Sequence, residues 1–414
     1  MTAKTVSVIV VSRERPDALR LCLTGLEQLI YPAFEVVVVT DQAGVEAIES
    51  MGWTDRIKVI PFDEANIAAA RNRGIAASAG EIVAFIDDDA VPEPYWLAHL
   101  TDPFDSPTIS AAGGFVRGRN GISYQWQARD IGPDGVSAPI ILAGSDPVIL
   151  EPTPGHGIKT EGCNMAYRRV MISDLGGFDP AYHFFLDESD LNLRLGALNA
   201  LTAIVPLAEV HHGYRQSARR RSDRTPLDLF EIAASQAVFL NRHQPGLDPA
   251  PRRAQFRAEQ KARIDRALVS GALEPRDVRR LMRSFDAGWQ AGLERPLLPL
   301  SPILQDATSF RPLKRKASTG TSIAFAGRRH GKLSPKAKTA VEEGHIVTVY
   351  VMKPTMRPHK LRFTSEGYWL QTGGLFGRVK RSGPRLILKS RKKRAKQEVD
   401  RVAEVRGAAE LRLV

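Results

Sequence analysis

Four apolar runs separated by helix-forming stretches constrain the first part of this chain more than any other feature. Val6-Ser7-Val8-Ile9-Val10-Val11 is almost continuously β-branched, the pattern of a strand buried on both faces rather than on one. Residues 36–39 repeat it and stop at Thr40-Asp41; residues 57–60 give a third strand, and residues 82–86 a fourth that stops at Asp87-Asp88-Asp89. Between them, Ser12-Arg13-Glu14-Arg15-Pro16 is a turn with helix-start character, Leu19, Leu21, Cys22, Leu23 and Leu26 fall at helical spacing, and residues 67–79 form an Ala-rich helix ended by Gly80. Doubly buried strands alternating with helices predict an α/β fold with a mainly parallel sheet flanked by helices.

Farther along, residues 101–165 are rich in Gly and Pro with short strand-like pieces, residues 186–200 are helical, and residues 201–205 make another strand. Thr225-Pro226 opens a helix carrying Leu229, Phe230, Ala233 and Phe239, and residues 251–292 read as two helices broken around Gly271. Pro296, Pro299 and Pro302 then punctuate a linker, after which an α/β pattern restarts at Ile323 and runs through a strand at 346–351 and a basic helix at about 384–405, ending in a strand at 411–414. The division expected is a main α/β domain over residues 1–245, a helical extension over 246–300, a linker over 301–320 and a small basic α/β segment over 321–414.

Charge supports the last boundary. Residues 301–414 hold 26 Lys and Arg against 8 Asp and Glu, a net of +18, whereas the rest holds 32 against 38, a net of −6. With 43% apolar and 25% charged residues in 414, global disorder is excluded. No apolar run reaches the roughly 18 residues of a membrane-crossing helix. The N-terminus has no cleavage-site pattern, and two cysteines, Cys22 and Cys163, cannot build a disulfide framework or a cysteine metal cage. The expected setting is the cytoplasm, with room for a peripheral contact at the inner face of the cell membrane. The cluster from Lys389 to Lys396 suits either a solvated helix face or contact with anionic lipid. Nucleic acid is a poorer fit, since no aromatic residues are interleaved with the cations.

The residues with chemical potential lie where open α/β sheets bind ligands, at carboxyl ends of strands. Asp87 and Asp89 project to one side of an extended chain, and three adjacent carboxylates beside a buried strand are best reconciled by a divalent cation, Mn²⁺ or Mg²⁺. Asp41, on the same rim, is either a turn aspartate or an acceptor for the imino N–H of a uracil or thymine base. Arg71, one helix before the triplet, can offset the carboxylates or meet a phosphate. Asp187-Glu188-Ser189-Asp190 opens a helix; capping accounts for one or two of its carboxylates, and general-base catalysis is the alternative for another. His211-His212 is either structural or part of the metal shell, and the five arginines at 215, 219, 220, 221 and 224 are either solvated or a clamp for an anionic leaving group.

Together these stretches resemble glycosyltransferase family 2, inverting enzymes of GT-A fold, over roughly residues 5–245. The matching motifs are residues 7–12, Tyr31-Pro32 with residues 35–41, Asn66 with Ala70-Arg71-Asn72-Arg73-Gly74, and Phe85-Ile86-Asp87-Asp88-Asp89-Ala90-Val91-Pro92. Residues 162–169, Gly176-Gly177-Phe178-Asp179, residues 187–191 with Arg194, and Val210-His211-His212 complete them in order. The resemblance implies that Asp87 and Asp89, with His212, hold the metal, and that Ser12, Asp41, Arg71, Asp87 and Asp88 bind the nucleotide sugar. It implies that Gly162, Asn164 and Asp190 lie on the acceptor side and that Glu188 or Asp187 is the base. Asp187-Glu188 stands where the family more often has Glu-Asp, so the choice between them stays open, and Thr40 replaces a common first aspartate. The implied reaction is one in-line transfer from a nucleotide-diphosphate sugar to a glycan or polysaccharide hydroxyl. A catalytically silent glycan-binding or scaffolding module is the alternative. A nucleotidyltransferase would want a Gly-rich loop where Ser12-Arg13-Glu14-Arg15 stands. The C-terminal segment resembles the first half of a GT-B glycosyltransferase lobe, through residues 344–349 and Gly367-Tyr368-Trp369; no catalysis is assigned to it.

Overall fold

The computed structural model of the protein describes residues 3–213, 215–314 and 320–414, so Tyr214 of the basic loop and residues 315–319 of the linker lie outside the described residues. The chain enters through β1 (Val6–Ser12) and α1 (Pro16–Leu26), then β2 (Phe34–Thr40), α2 (Gln42–Ser50), β3 (Lys58–Pro61), α3 (Ile67–Ala76) and β4 (Ile82–Asp87). β1 lies between β2 and β4, parallel to both, which is why it is apolar on both faces. Val6, Val8 and Val10 pack with Leu19, Cys22, Leu23 and Leu26 of α1 on one side. Ile9 packs with Val37, Ala68 and Ile75 on the other, beneath α3.

The next elements are β5 (Ala90–Pro92), α4 (Trp96–Thr101), β6 (Ile109–Arg117), β7 (Tyr124–Trp126), β8 (Arg129–Ile131), β9 (Val148–Leu150), β10 (Gly157–Lys159), β11 (Met165–Arg168), α5 (Arg169–Asp174), α6 (Asp187–Ala197) and β12 (Leu201–His212). The main sheet has the order β3-β2-β1-β4-β11-β6-β12-β5, with β7 and β9 added at its side. β11 runs antiparallel to both of its neighbours, and β5 antiparallel to β12, so the parallel character is predominant rather than complete. The strand expected at 201–205 continues to His212. Its register against β6 shifts between Val205 and Val210, around Pro206, which lacks the N–H a ladder needs.

Three helices follow, α7 (Phe230–His243), α8 (Ala250–Val269) and α9 (Pro275–Glu294), with a core built on Phe256, Leu281, Phe285 and Trp289. α9 crosses α7 closely enough that a Cβ at Gly288 would sit 2.1 Å from the Phe230 carbonyl oxygen. The linker is not a free tether. Its backbone N–H groups at Ile303, Asp306, Arg311 and Leu313 donate to the Ser173 and Ala76 carbonyls, the Glu35 carboxylate and the Phe34 carbonyl, at 2.8–2.9 Å.

The C-terminal lobe comprises β13 (Ser322–Gly327), α10 (His330–Glu342), β14 (Ile346–Lys353), β15 (Lys360–Phe363), β16 (Trp369–Gly374), α11 (Arg391–Arg401), α12 (Ala403–Arg406) and β17 (Ala409–Leu413). Its sheet has the order β15-β16-β14-β13-β17, parallel except for β15. The basic helix starts at Arg391, later than its composition suggests. Gly383-Pro384 and an N–H bond from Ile387 to the Phe376 carbonyl (3.0 Å) keep the preceding segment extended, and Ser390 caps the helix.

This lobe docks on the main sheet through buried charge. Arg406 donates from Nε to Glu93 Oε2 (2.8 Å) and from Nη2 to Glu93 Oε1 (2.5 Å), and its Nη1 donates to Thr348 Oγ1 (3.0 Å). The guanidinium lies 4.1 Å from the Trp369 ring centre, and His211 Nε2 lies 2.7 Å from Glu93 Oε1. Burial alone would raise the Glu93 pKa, but Arg406 and His211 bring it down to about 2. Removing one partner of such a pair strands the other charge in a low dielectric. Arg406→Ala is therefore expected to destabilise the protein by about 3–5 kcal/mol, read as a lower urea midpoint; an unchanged midpoint would show that the lobes do not depend on this pair.

Candidate active site

The first carboxylate group sits where β4 ends beside the end of β1. The pairing Val11 to Asp87 brings Ser12 next to Asp88, and Ser12 Oγ donates to Asp88 Oδ2 (2.8 Å) while Arg15 Nη2 lies 2.7 Å from Asp88 Oδ1. Asp88 is fully buried; desolvation raises its pKa to about 7, against the opposing pull of Arg15 and Ser12. Asp88, expected at the nucleotide sugar, is thus bonded to the β1 turn and to Arg15.

Asp87 and Asp89 flank it and meet His212, which β12 delivers opposite Ala90. His212 Nε2 lies 3.1 Å from Asp89 Oδ1 and 3.9 Å from Asp87 Oδ2, and one ligand atom from each of the three residues falls within 4.8 Å of the others. Burial would raise Asp89, yet His212, Arg15 and the Arg215 N–H (2.9 Å) hold it well below the usual carboxylate range. Burial would likewise lower His212, yet Asp89 and Asp87 raise it. Two carboxylates and an imidazole form a donor set suited to Mn²⁺ and acceptable to Mg²⁺. Glu93, Glu209 and His211 form a second cluster of potential ligands, but Arg406 and Arg117 already neutralise its two carboxylates.

Above these carboxylates is a cleft of about 890 Å³, a size suited to a small-molecule ligand. Its walls come from the turn after β1, the start of α3 with Asn66, and Phe184; the loop at 216–221 forms another side. Arg219 lies 4.5 Å from the Phe184 ring centre, and Arg220 Nη2 is 3.8 Å from Asp89 Oδ2. Cations thus line a cleft with paired carboxylates at its base.

The second carboxylate group is tied to the first by Arg71. From α3, whose N-terminus Asn66 caps by accepting from the Ala69 N–H (3.0 Å), Arg71 reaches three partners. Its Nη1 donates to Asp187 Oδ2, its Nη2 lies 3.4 Å from Asp87 Oδ1, and the same Nη2 donates to the Gly162 carbonyl (3.0 Å). Asp187 and Glu188 follow Phe185 and Leu186, two non-glycine residues with φ of 76° and 68°, a strained conformation that costs about 1–3 kcal/mol at each. The residue at the N-cap is Leu186, without a side-chain capping bond, so capping does not account for the acidic run. Glu188 Oε1 instead lies 2.7 Å from Lys159 Nζ, which also donates to Ser189 Oγ (2.7 Å). Burial pushes Glu188 up, but Lys159 and Arg71 outweigh it and hold it below the usual range. Asp187 is raised by burial and by Glu188, with Arg71 opposing.

Other expected residues are committed elsewhere. Asp41 caps α2, accepting from the Gly44 N–H (3.0 Å) and the Glu14 N–H (2.7 Å), so both its oxygens are engaged by backbone. Asn164 is fully buried; it accepts from Trp96 Nε1 (2.8 Å) and donates to the Phe115 and Ala208 carbonyls. Asp190 is buried between Arg194 and His243, each at 2.9 Å. Asn164 and Asp190, expected on the acceptor side, both bond within the fold. Arg71, expected at the nucleotide, is 5% exposed and bound to protein groups. Arg15 and Lys159 escape the sequence reading. Arg15 stands in the turn after β1, a position that carries some signal; Lys159 lies in a loop-rich stretch that carries none.

Residues 7–176 match the family model of glycosyl transferase family 2. The O-antigen biosynthesis protein RfbC of Myxococcus xanthus is 28% identical over 243 residues, covering 53% of this chain and 18% of that protein. A pre-mycofactocin glycosyltransferase of Mycobacterium tuberculosis is 29% identical over 224 residues, covering 52% of this chain and 44% of that protein. The chain thus spans less than half the length of these relatives. Among solved structures, a mannosyltransferase from Pyrobaculum calidifontis in complex with GDP-Man and Mn²⁺ aligns with a TM-score of 0.43 at 18% identity, over 71% of this chain and 86% of that one. GalNAc-T7 with UDP, GalNAc and Mn²⁺ aligns with a TM-score of 0.44 at 15% identity, over 58% of this chain and 48% of that one.

Because Asp89 and Asp87 raise the pKa of His212, a cation entering this donor set competes with a proton there. Calorimetric titration with Mn²⁺ in buffers of different ionisation enthalpy is expected to show proton release near neutral pH and affinity that falls on acidification. His212→Ala should abolish the release; release that persists in this variant would remove His212 from the ligand set.

Proposed function

We propose, from the match of residues 7–176 to the family model of glycosyl transferase family 2, that the chain is an inverting, metal-dependent glycosyltransferase of that family. It moves a sugar from a nucleotide-diphosphate donor to a hydroxyl of a glycan or polysaccharide acceptor. The observation that carries this reading is the Arg71 guanidinium, which spans Asp87 beside the candidate metal set and Asp187 beside Glu188. A relative named for O-antigen biosynthesis supports a polysaccharide acceptor.

Asp87, Asp89 and His212 hold the divalent cation, which when bound supplies Lewis-acid stabilisation to the donor diphosphate. Arg15 and Arg220, both beside Asp89, add positive charge where the leaving group departs. Ser12 lines the cleft at the nucleotide side and fixes Asp88. Glu188 is the general base: more exposed than Asp187 (16% against 3% for the side chains) and held ionised by Lys159. Its carboxylate takes the acceptor hydroxyl proton as that oxygen bonds to the anomeric carbon and the bond to the diphosphate breaks. Attack from the face opposite the leaving group inverts the anomeric centre. Asp187, locked to Arg71, sets the start of α6 and so the position of Glu188.

A panel of nucleotide sugars with Mn²⁺ or Mg²⁺, read by nucleoside diphosphate release in the presence of glycan acceptors, tests the reading. Asp89→Ala is expected to lose metal-dependent turnover, and Glu188→Gln to lower kcat by about 10²–10⁴-fold while retaining donor affinity. Full activity in Asp89→Ala, or lost donor binding in Glu188→Gln, contradicts the assigned roles. A second test uses pH. Lys159 lowers the Glu188 pKa, so Lys159→Met should raise it and move the acid limb of the kcat–pH profile to higher pH. A limb that stays in place would assign that ionisation to another group.

A further inference from the structure

The C-terminal lobe carries a surface that the proposed chemistry does not use. From Gly377 to Gln397 the sequence contains no Asp or Glu. Lys380, Arg381, Arg385 and Lys389 are exposed on the extended segment before α11, and Lys392, Lys393 and Lys396 are exposed on the helix itself. The helix is amphipathic in an uncommon way. One face buries Arg394, Ala395, Glu398 and Val399 against the sheet, while the other shows cations at helical spacing. Two bonds hold the segment in place: Arg394 Nη2 donates to the Gly377 carbonyl (2.9 Å), and Ile387 N donates to the Phe376 carbonyl (3.0 Å). Lys389 Nζ donates to Gln397 Oε1 (3.1 Å), so segment and exposed helix face form one surface.

Within that cationic field two large apolar side chains stand out of the fold. Leu386 is 48% exposed and Leu388 78% exposed, on either side of the half-buried Ile387. Cations alone would suit any polyanion. Leucines flanked by cations suit an interface with anionic headgroups outside and hydrocarbon beneath. No aromatic residue lies between Gly377 and Gln397, so base stacking has no platform. Among the described residues no helix is long and apolar enough to cross a membrane, so a contact made here is peripheral.

We infer that residues 380–396 form a docking surface for an anionic lipid bilayer, with Leu386 and Leu388 entering the interface and the surrounding lysines and arginines held by headgroup charge. This is independent of the chemistry assigned to the cleft. The test is sedimentation of the full chain with vesicles of phosphatidylcholine alone and of phosphatidylcholine mixed with phosphatidylglycerol, at low and high salt. Binding is expected to the mixed vesicles, with most of it released by salt. Each cation removed should lower the partition coefficient about fivefold, so Lys392→Glu/Lys393→Glu/Lys396→Glu should lower it by more than about 100-fold. Leu386→Ser/Leu388→Ser should lower it about tenfold or more without shifting thermal unfolding, since both side chains are solvent-facing. Equal binding to both vesicle types, binding unaffected by the charge reversal, or capture of an RNA oligonucleotide through these residues with no vesicle binding would each overturn the inference.

Discussion

A single guanidinium organises the candidate site. Arg71 is nearly buried and bonded to Asp187, to the Gly162 carbonyl and, more loosely, to Asp87. Asp87, Asp187 and Glu188 all act on this guanidinium; carboxylates so close repel, and without a counter-charge the end of β4 and the start of α6 would be driven apart or protonated. Arg71 is the planar, permanently charged group that can face both at once. It places the candidate metal donors and the candidate base on the same structure, and its own position is secured by the Asn66-capped helix α3 packed on β1 and β2.

A second buried arginine acts from the other end of the chain. Arg406 neutralises Glu93, and Glu93 in turn meets His211, the neighbour of His212. β5 and the end of β12 are therefore held both by their own ladder and by the C-terminal lobe. This geometry gives the lobe a mechanical relation to the His212 donor without placing any of its residues in the cleft. The extended linker has a similar effect on the opposite side, where Glu35 accepts from the Arg311 N–H and pairs with Lys58.

Much of this arrangement is legible in the residues because it is local. Doubly apolar runs declare β1, β2 and β4, and three aspartates at the end of β4 declare a charge problem that something must solve. The α/β architecture with a mainly parallel sheet follows from the alternation and is what the structure has. What is not legible is how partners far apart in the chain are chosen. Asp41 and Asn164 have side chains equally fit for ligands or for backbone, and only packing shows that backbone N–H and carbonyl groups engage them. The acidic start of α6 has the composition of a capped helix, yet its N-cap is a leucine in the left-handed region and its carboxylates pair with Arg71 and Lys159. Arg406 meets Glu93 across more than three hundred residues, and no local pattern marks either.

In the proposed site, Arg71 joins a cation held by Asp87, Asp89 and His212 to the carboxylates of Asp187 and Glu188. Crystals grown with Mn²⁺, with anomalous scattering used to locate the ion, test it most directly. An anomalous peak is expected among Asp87, Asp89 and His212, with Arg71 still bonded to Asp187. A peak elsewhere on the molecule, or a site walled off from the start of α6, would contradict it.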